Sequence, residues 1–101
     1  MMITVIAEHW INDGQVDKKD LIFKEVSASA KKAPGFISRF ILTSQKDSTK
    51  FSTVTTWDNQ EALDNWKEVR WSEFSFGTDI LHEAFSKEVA EVYDVANLHT
   101  P

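Results

Sequence analysis

The chain has 101 residues, a formal net charge of −5 from 11 basic and 16 acidic side chains, and no cysteine. This length predicts one domain over residues 1–101, with residues 96–101 as a loose tail. The acidic balance disfavours a nucleic-acid partner, and the lack of cysteine excludes disulfides and thiolate nucleophiles. Because the amino terminus lacks the features of an export or membrane-spanning segment, we expect a cytoplasmic protein without a membrane partner.

Residues 3–11 alternate between two sets of side chains and are rich in β-branched residues, which predicts a strand. Val5 and His9 belong to one face of this strand, and Glu8 and Trp10 belong to the other. We expect the His9 face to look toward the helices and the Trp10 face to look away from them.

After the turn "NDG", an apolar stripe at helical spacing predicts a helix that begins near Asp17 and is ended by Pro34 and Gly35. The stripe consists of Ile22, Val26, Ala30 and Ala33. Residues 36–44 and 51–57 then predict two antiparallel strands joined by the polar loop "QKDSTK".

Asp58 and Glu61 have the spacing of a capping box, which predicts the start of a second helix. The helical pattern loosens over residues 69–77. A last helix is predicted over residues 78–85, and a last strand over residues 89–95.

The predicted order of elements is strand, helix, strand, strand, helix, strand. This is the α+β, ferredoxin-like split βαβ order, in which right-handed crossovers place the helices on one face of a four-stranded antiparallel sheet. The other face of the sheet would remain bare in a monomer. Four tryptophans and seven phenylalanines are many for so small a chain, so we expect a homodimer.

Four segments carry a resemblance to a known family: the strand "TVIAEHWI", the turn "APGF", and the stretches "TTW" and "DNQEALDNW". With these segments the chain, from about Ile3 to Val95, resembles the antibiotic biosynthesis monooxygenase-like (ABM) family. The resemblance implies a dimeric α/β barrel in which two sheets pack face to face. It also implies a pocket between each sheet and its own helices.

His9 is the candidate catalytic residue. In relatives that degrade haem an asparagine follows "A-E", whereas this chain has "AEHW". An imidazole can relay a proton near neutral pH, which an amide cannot. The alternative is a strand histidine at the pocket rim, bonded to a neighbour or to water.

An aromatic group is the candidate substrate-binding wall, because apolar walls with few polar points suit a flat aromatic ligand. The residues assigned to substrate binding are Trp66, Trp71, Phe76 and Trp57, and Phe74 and Tyr93 complete the group. Trp66 lies where haem-degrading relatives carry a tryptophan, and its indole can stack on a ligand and donate one hydrogen bond. The alternative is that these rings only fill the core and the dimer seam.

Haem is disfavoured as a cofactor. Haem-degrading relatives place an iron-binding histidine about ten residues beyond that tryptophan, where this chain has Phe76. His82 is the nearby histidine, and its position favours solvent. We therefore expect no cofactor and no metal.

Three residues are assigned to the dimer interface. Trp10 is predicted to anchor it, and Glu8 is predicted to meet Arg39 within or across the dimer.

Two functions remain open from the sequence. One is a cofactor-independent monooxygenase or other oxidoreductase acting on a small aromatic or quinol-type compound. The other is a non-catalytic dimeric module that binds a small molecule or serves as a structural partner, and haem degradation is a minor third reading. Thr55 replaces an acidic residue of many relatives and Trp66 replaces a frequent histidine, so an acid/base set carried over from them would be incomplete.

Overall fold

The computed structural model describes residues 1–99. Seven elements follow one another along this part of the chain. They are β1 (Ile3–Ile11), α1 (Val16–Lys31), β2 (Phe36–Thr43), β3 (Lys50–Trp57), α2 (Gln60–Glu73), α3 (Thr78–Ala84) and β4 (Phe85–Asp94).

The four strands form one antiparallel sheet in the order β2-β3-β1-β4. The three helices cover one face of this sheet, which we call the helix face, and the opposite face is the open face. The predicted α+β, ferredoxin-like split βαβ fold is confirmed. None of the helices within residues 1–99 is long and apolar enough to span a membrane.

Three predicted boundaries are wrong. The N-cap of α2 is Asn59, one residue after Asp58, because the Asn59 side chain accepts a hydrogen bond from the Ala62 backbone N–H at 2.9 Å. The same helix continues to Glu73, through a segment where its apolar pattern loosens. The last strand begins at Phe85, four residues earlier than predicted, because the sheet pairing already starts there.

The core consists of two clusters of buried apolar side chains between the sheet and the helices. One contains Ile3, Ala30, Trp57, Leu63 and Trp66, and the other contains Ile22, Phe23, Phe76, Ala84 and Phe85.

The "APGF" turn lies against the start of α2. Gly35 has a φ of 86°, and a Cβ built at this residue would lie 2.5 Å from the Cβ of Ala62. Only glycine combines this backbone conformation with so close an approach. The turn therefore fixes how the second half of the fold packs on the first.

A β-bulge at Ile37 changes which side of β2 faces the helices. Phe36 pairs with Trp57, whereas Ser38 pairs with Thr56, so Ile37 has no partner in the ladder. An extra residue in a strand moves every following side chain to the other face. Arg39 consequently lies on the helix face.

Candidate functional site

A cavity of about 460 Å³ lies between the helix face and the helices. Strands β1, β3 and β4 supply its floor, and helices α1 and α2 supply much of its roof. The five residues assigned from the sequence to catalysis and substrate binding all line it, and they are His9, Trp57, Trp66, Trp71 and Phe76. Their roles as catalytic and substrate-binding residues stay predictions.

His9 is paired with a carboxylate in the wall of this cavity. Its side chain is 15% exposed and lies between the rings of Phe23 and Phe85, with centroids 5.4 and 4.9 Å away. The Nδ1 atom is 3.0 Å from Oε1 of Glu88. An ionised carboxylate only accepts hydrogen bonds, so Nδ1 donates and Nε2 is left as the basic nitrogen.

Glu88 is a site residue that the sequence reading missed. The predicted last strand began at Val89, so the residue before it was left outside the sheet. In the structure Glu88 pairs with His9 across β4 and β1. Extending the predicted strand by one residue toward its start would have included this carboxylate in the sheet.

The indole N–H of Trp66 is already used within the protein. Nε1 donates to Oγ of Ser29 at 2.9 Å, and Ser29 donates to Oε1 of Glu73 at 2.6 Å. Hydrogen bonds from Lys32 and Ser29 lower the pKa of Glu73. Trp66 therefore offers a ligand its ring and not a hydrogen bond.

Three further rings form a compact aromatic wall. Phe74 and Phe76 stack with centroids 4.9 Å apart and planes 10° apart, and Trp71 meets both edge-on. Trp57 packs against Trp66 at 5.3 Å and is 0% exposed. Its Nε1 is buried without a hydrogen-bond partner among the described residues.

Two arginines line the cavity. The Nε atom of Arg39 donates to Oγ of Ser27 and its Nη1 to Oγ1 of Thr55, each at 2.8 Å, and burial lowers its pKa to about 10. The guanidinium of Arg70 lies over the ring of Trp66, 5.1 Å from its centroid, and burial lowers its pKa too. Arg70 follows Trp66 by four residues on α2, and this helical spacing was the signal that could have found it.

The prediction that Glu8 meets Arg39 is wrong within the chain. Glu8 lies on the open face and pairs with Nζ of Lys50 at 3.1 Å, whereas Arg39 lies on the helix face because of the bulge at Ile37. Arg39 is thus a cavity residue and not an open-face interface residue. Trp10 does lie on the open face, with Nζ of Lys50 and of Lys87 at 5.4 and 5.0 Å from its ring centroid.

Two other aromatic or imidazole side chains lie away from the cavity. Tyr93, which was grouped with the cavity aromatics, pairs with Thr4 on the open face. His82, weighed as a haem ligand, is exposed on α3, and Phe76 is buried at the position where haem-degrading relatives bind iron. The residues present do not supply that axial histidine. Within residues 1–99 no group of three metal-binding side chains comes together.

Comparison with solved structures finds close likeness in fold at low sequence identity. The cofactor-independent oxygenase SnoaB from Streptomyces nogalater superposes with a TM-score of 0.77 at 9% identity, covering 96% of this chain and 95% of SnoaB. Rv0793 from Mycobacterium tuberculosis gives 0.80 at 12% identity, covering 99% and 100%. A conserved protein from Methanosarcina mazei Go1 gives 0.75 at 18% identity, covering 92% and 91%.

Comparison with curated protein sequences finds no significant match. Residues 2–69 match the family described as Antibiotic biosynthesis monooxygenase, and this stretch contains β1 to β3 and most of α2. The match covers the "AEHW", "APGF" and "DNQEALDNW" segments that carried the resemblance. The chain belongs to the antibiotic biosynthesis monooxygenase family.

Proposed function

We propose that this protein is a cofactor-independent monooxygenase that oxidises a small hydroxyaromatic or quinol-type compound. The observation that carries the proposal is the His9–Glu88 pair, which places a basic nitrogen in the wall of an aromatic cavity. The cavity volume of about 460 Å³ suits two or three fused rings. Likeness in fold to SnoaB, a cofactor-independent oxygenase, supports the same reading.

His9 acts as the general base in this proposal. Its Nε2 takes the proton of a ring hydroxyl, while Glu88 stabilises the imidazolium that forms. The resulting anion is electron-rich and passes an electron to dioxygen. The radical pair then joins as a peroxide on the substrate carbon, and this peroxide takes the proton back from the imidazolium of His9 to become a hydroperoxide.

The products follow from balancing this reaction. For an anthrone-type substrate, the reacting CH₂ carbon loses two hydrogens and gains one oxygen as a carbonyl. The second oxygen atom leaves as water with those hydrogens. Oxidation of this CH₂ carbon to a carbonyl releases four electrons, which reduce both atoms of one dioxygen molecule, so the reaction needs no external reductant.

Oxygen uptake by the metal-free protein tests this function. The substrates are a panel of hydroquinones and dihydroxyanthracenes, including 1,8-dihydroxyanthrone, and ¹⁸O₂ reports whether oxygen enters the product. We expect one labelled atom per turnover and a fall in kcat of about 100-fold or more in His9→Ala, because general-base catalysis contributes about that much. Trp66→Phe keeps a stacking ring and is expected to retain most of the rate.

Uptake equal to the buffer rate on every compound, for wild type and variants alike, would overturn the enzyme reading. It would leave the alternative of a non-catalytic binding module. Hydrogen peroxide as the product, without label in the organic compound, would indicate simple autoxidation and would also count against a monooxygenase.

We also propose that the protein works as a homodimer through its open face. That face leaves several large apolar side chains 37–60% exposed, which is unusual for a free sheet surface. They are Ile6, Phe40, Leu42, Val89 and Tyr93. A second copy packed on this face would remove them from water, as in the dimeric barrel that the family resemblance implies.

A further inference from the structure

The cavity contains more hydrogen-bond donors than acceptors. Glu88 is the carboxylate among its lining residues within 1–99, and it is bonded to His9. In the same part of the chain, no carboxylate forms an ion pair with Arg39 or Arg70. The Nε atom of Arg70 and the Nε1 atom of Trp57 are buried without a hydrogen-bond partner among the described residues. Within this part of the chain, none of these donors is therefore bonded to a carboxylate, the side-chain group that only accepts hydrogen bonds.

The charge of the cavity is opposite to that of the chain. The chain carries −5 overall, yet Arg39, Lys67 and Arg70 all line this one cavity. Burial lowers the pKa of both arginines, which means that their desolvated charges are not compensated. With a pKa of about 10, Arg39 stays protonated at neutral pH. An anion bound beside these groups would relieve that destabilisation.

A chain of contacts joins the two arginines. Arg39 donates to Thr55, and Trp57 follows Thr55 on the same face of β3. Trp57 packs on Trp66, and the Arg70 guanidinium lies over the ring of Trp66. Arg39 and Arg70 therefore lie at the two ends of a series of contacts that runs through the Trp57–Trp66 pair.

His9 lies away from this group along the sheet. Arg39 is in register with Thr55 and, through it, with Val5 on β1. His9 follows Val5 by four residues, which is about 13 Å along the strand. A fused aromatic molecule has the length to reach from one group toward the other.

We propose that the cavity selects aromatic carboxylates, with the carboxylate held by Arg39 and Arg70 and the rings held against Trp66. A guanidinium fork matches a carboxylate in charge and in geometry. The proposal deepens the proposed function, because a ring hydroxyl at the far end then points toward His9. Binding itself does not depend on turnover and can be measured without it.

A matched pair of stable ligands tests the selection. Tryptophan fluorescence is titrated with 3-hydroxy-2-naphthoate and with the neutral 3-hydroxy-2-naphthamide, which differ in charge and hardly in shape. We expect the naphthoate to bind at least tenfold more tightly to wild type, and this ratio to fall below threefold in Arg39→Gln and in Arg70→Gln. Lys46→Gln removes one exposed positive charge from the 44–49 loop and should keep the wild-type ratio.

Several results would overturn the proposal. These are equal affinity for the two ligands, no binding of either one, or a preference that survives in both arginine variants. Arg39→Lys serves if Arg39→Gln fails to fold, because it keeps the charge and loses the fork, and a ratio unchanged from wild type would contradict bidentate recognition. Since the assay needs no oxygen, a failed oxidation assay with an intact naphthoate preference separates the two proposals.

Discussion

The two faces of the sheet differ in how their polar groups are satisfied. On the open face, Glu8 is paired with Lys50, and two lysines flank the ring of Trp10. On the helix face, Arg39 and Arg70 have no carboxylate partner among the described residues. On the open face, the charge of Glu8 is thus paired and apolar side chains are exposed. On the helix side, apolar side chains are enclosed and the two arginines have no carboxylate partner among the described residues.

This difference indicates two different partners. A surface with paired charges and exposed apolar side chains is suited to another protein surface. An enclosed cavity with unpaired donors is suited to a small polar or anionic molecule. Both assignments can be tested by changing one side chain on each face.

Trp57→Ala is expected to have the largest effect on stability. Trp57 is 0% exposed and contacts Trp66 and Phe36, so its removal leaves a large hole in the core. We expect the free energy of unfolding to fall by about 3–5 kcal/mol, measured by urea denaturation followed by far-ultraviolet circular dichroism. Val69→Ala, on the exposed side of α2, should change it by less than about 0.5 kcal/mol. Similar losses in the two variants would contradict the packing described for the helix face.

Trp10→Ala is expected to weaken the proposed dimer. A central tryptophan at an interface contributes about 2 kcal/mol, which corresponds to a rise of about 30-fold in the dimer Kd. Sedimentation velocity at low micromolar concentration measures the change. Trp71→Ala removes a partly exposed tryptophan on the helix side and should leave the dimer intact. A Trp10→Ala protein that stays fully dimeric would show that the open face is not anchored there.

Ser29→Ala is expected to have a smaller effect. It removes the acceptor of the Trp66 indole N–H and one donor to Glu73. An unsatisfied buried donor costs about 1–2 kcal/mol of unfolding free energy. Ser72→Ala provides the control, because this exposed serine bonds only to the carbonyl of Val69 in its own helix. No difference between the two serine variants would mean that the Ser29 network does not hold Trp66.

The smallest expected effect is a pH dependence from Glu25. Hydrogen bonds from the side chain and backbone of Ser75 lower the pKa of Glu25. Its contribution is therefore complete above the unfolded-state value, about 4.3. It is lost as the pH falls through the lower folded-state pKa.

We expect Glu25→Gln to be less stable than wild type at pH 7 and to approach it near pH 3. Ser75→Ala, which removes only the hydroxyl bond, should fall between the two. Thermal unfolding between pH 3 and pH 7 measures these differences. Parallel curves for wild type and Glu25→Gln would exclude this linkage.

The fold could be predicted because its signals are local. Alternation in β1, the helical stripe of α1 and the "APGF" turn each involve neighbouring residues, and together they fix the order of elements. The face of His9 also followed from alternation alone. These features do not depend on how distant segments pair.

Much of the candidate site could not be predicted because it depends on register and long-range contact. Ser29 and Trp66 are 37 residues apart, so their hydrogen bond has no sequence signal. Glu88 reaches His9 only because β4 starts earlier than its apolar pattern does. Arg39, the predicted partner of Glu8, lies on the opposite face of the sheet because of the bulge at Ile37.

The bulge at Ile37 thus determines that the positive charge of Arg39 lies on the helix face of the sheet. An insertion or deletion of one residue there would move the side chain of Arg39 from the cavity to the open face without any substitution. Relatives that differ in length at this bulge can therefore differ in the side chains that line the cavity while keeping the same sequence downstream. When such chains are aligned, a gap at the start of the second strand carries as much chemical information as the residues that follow it.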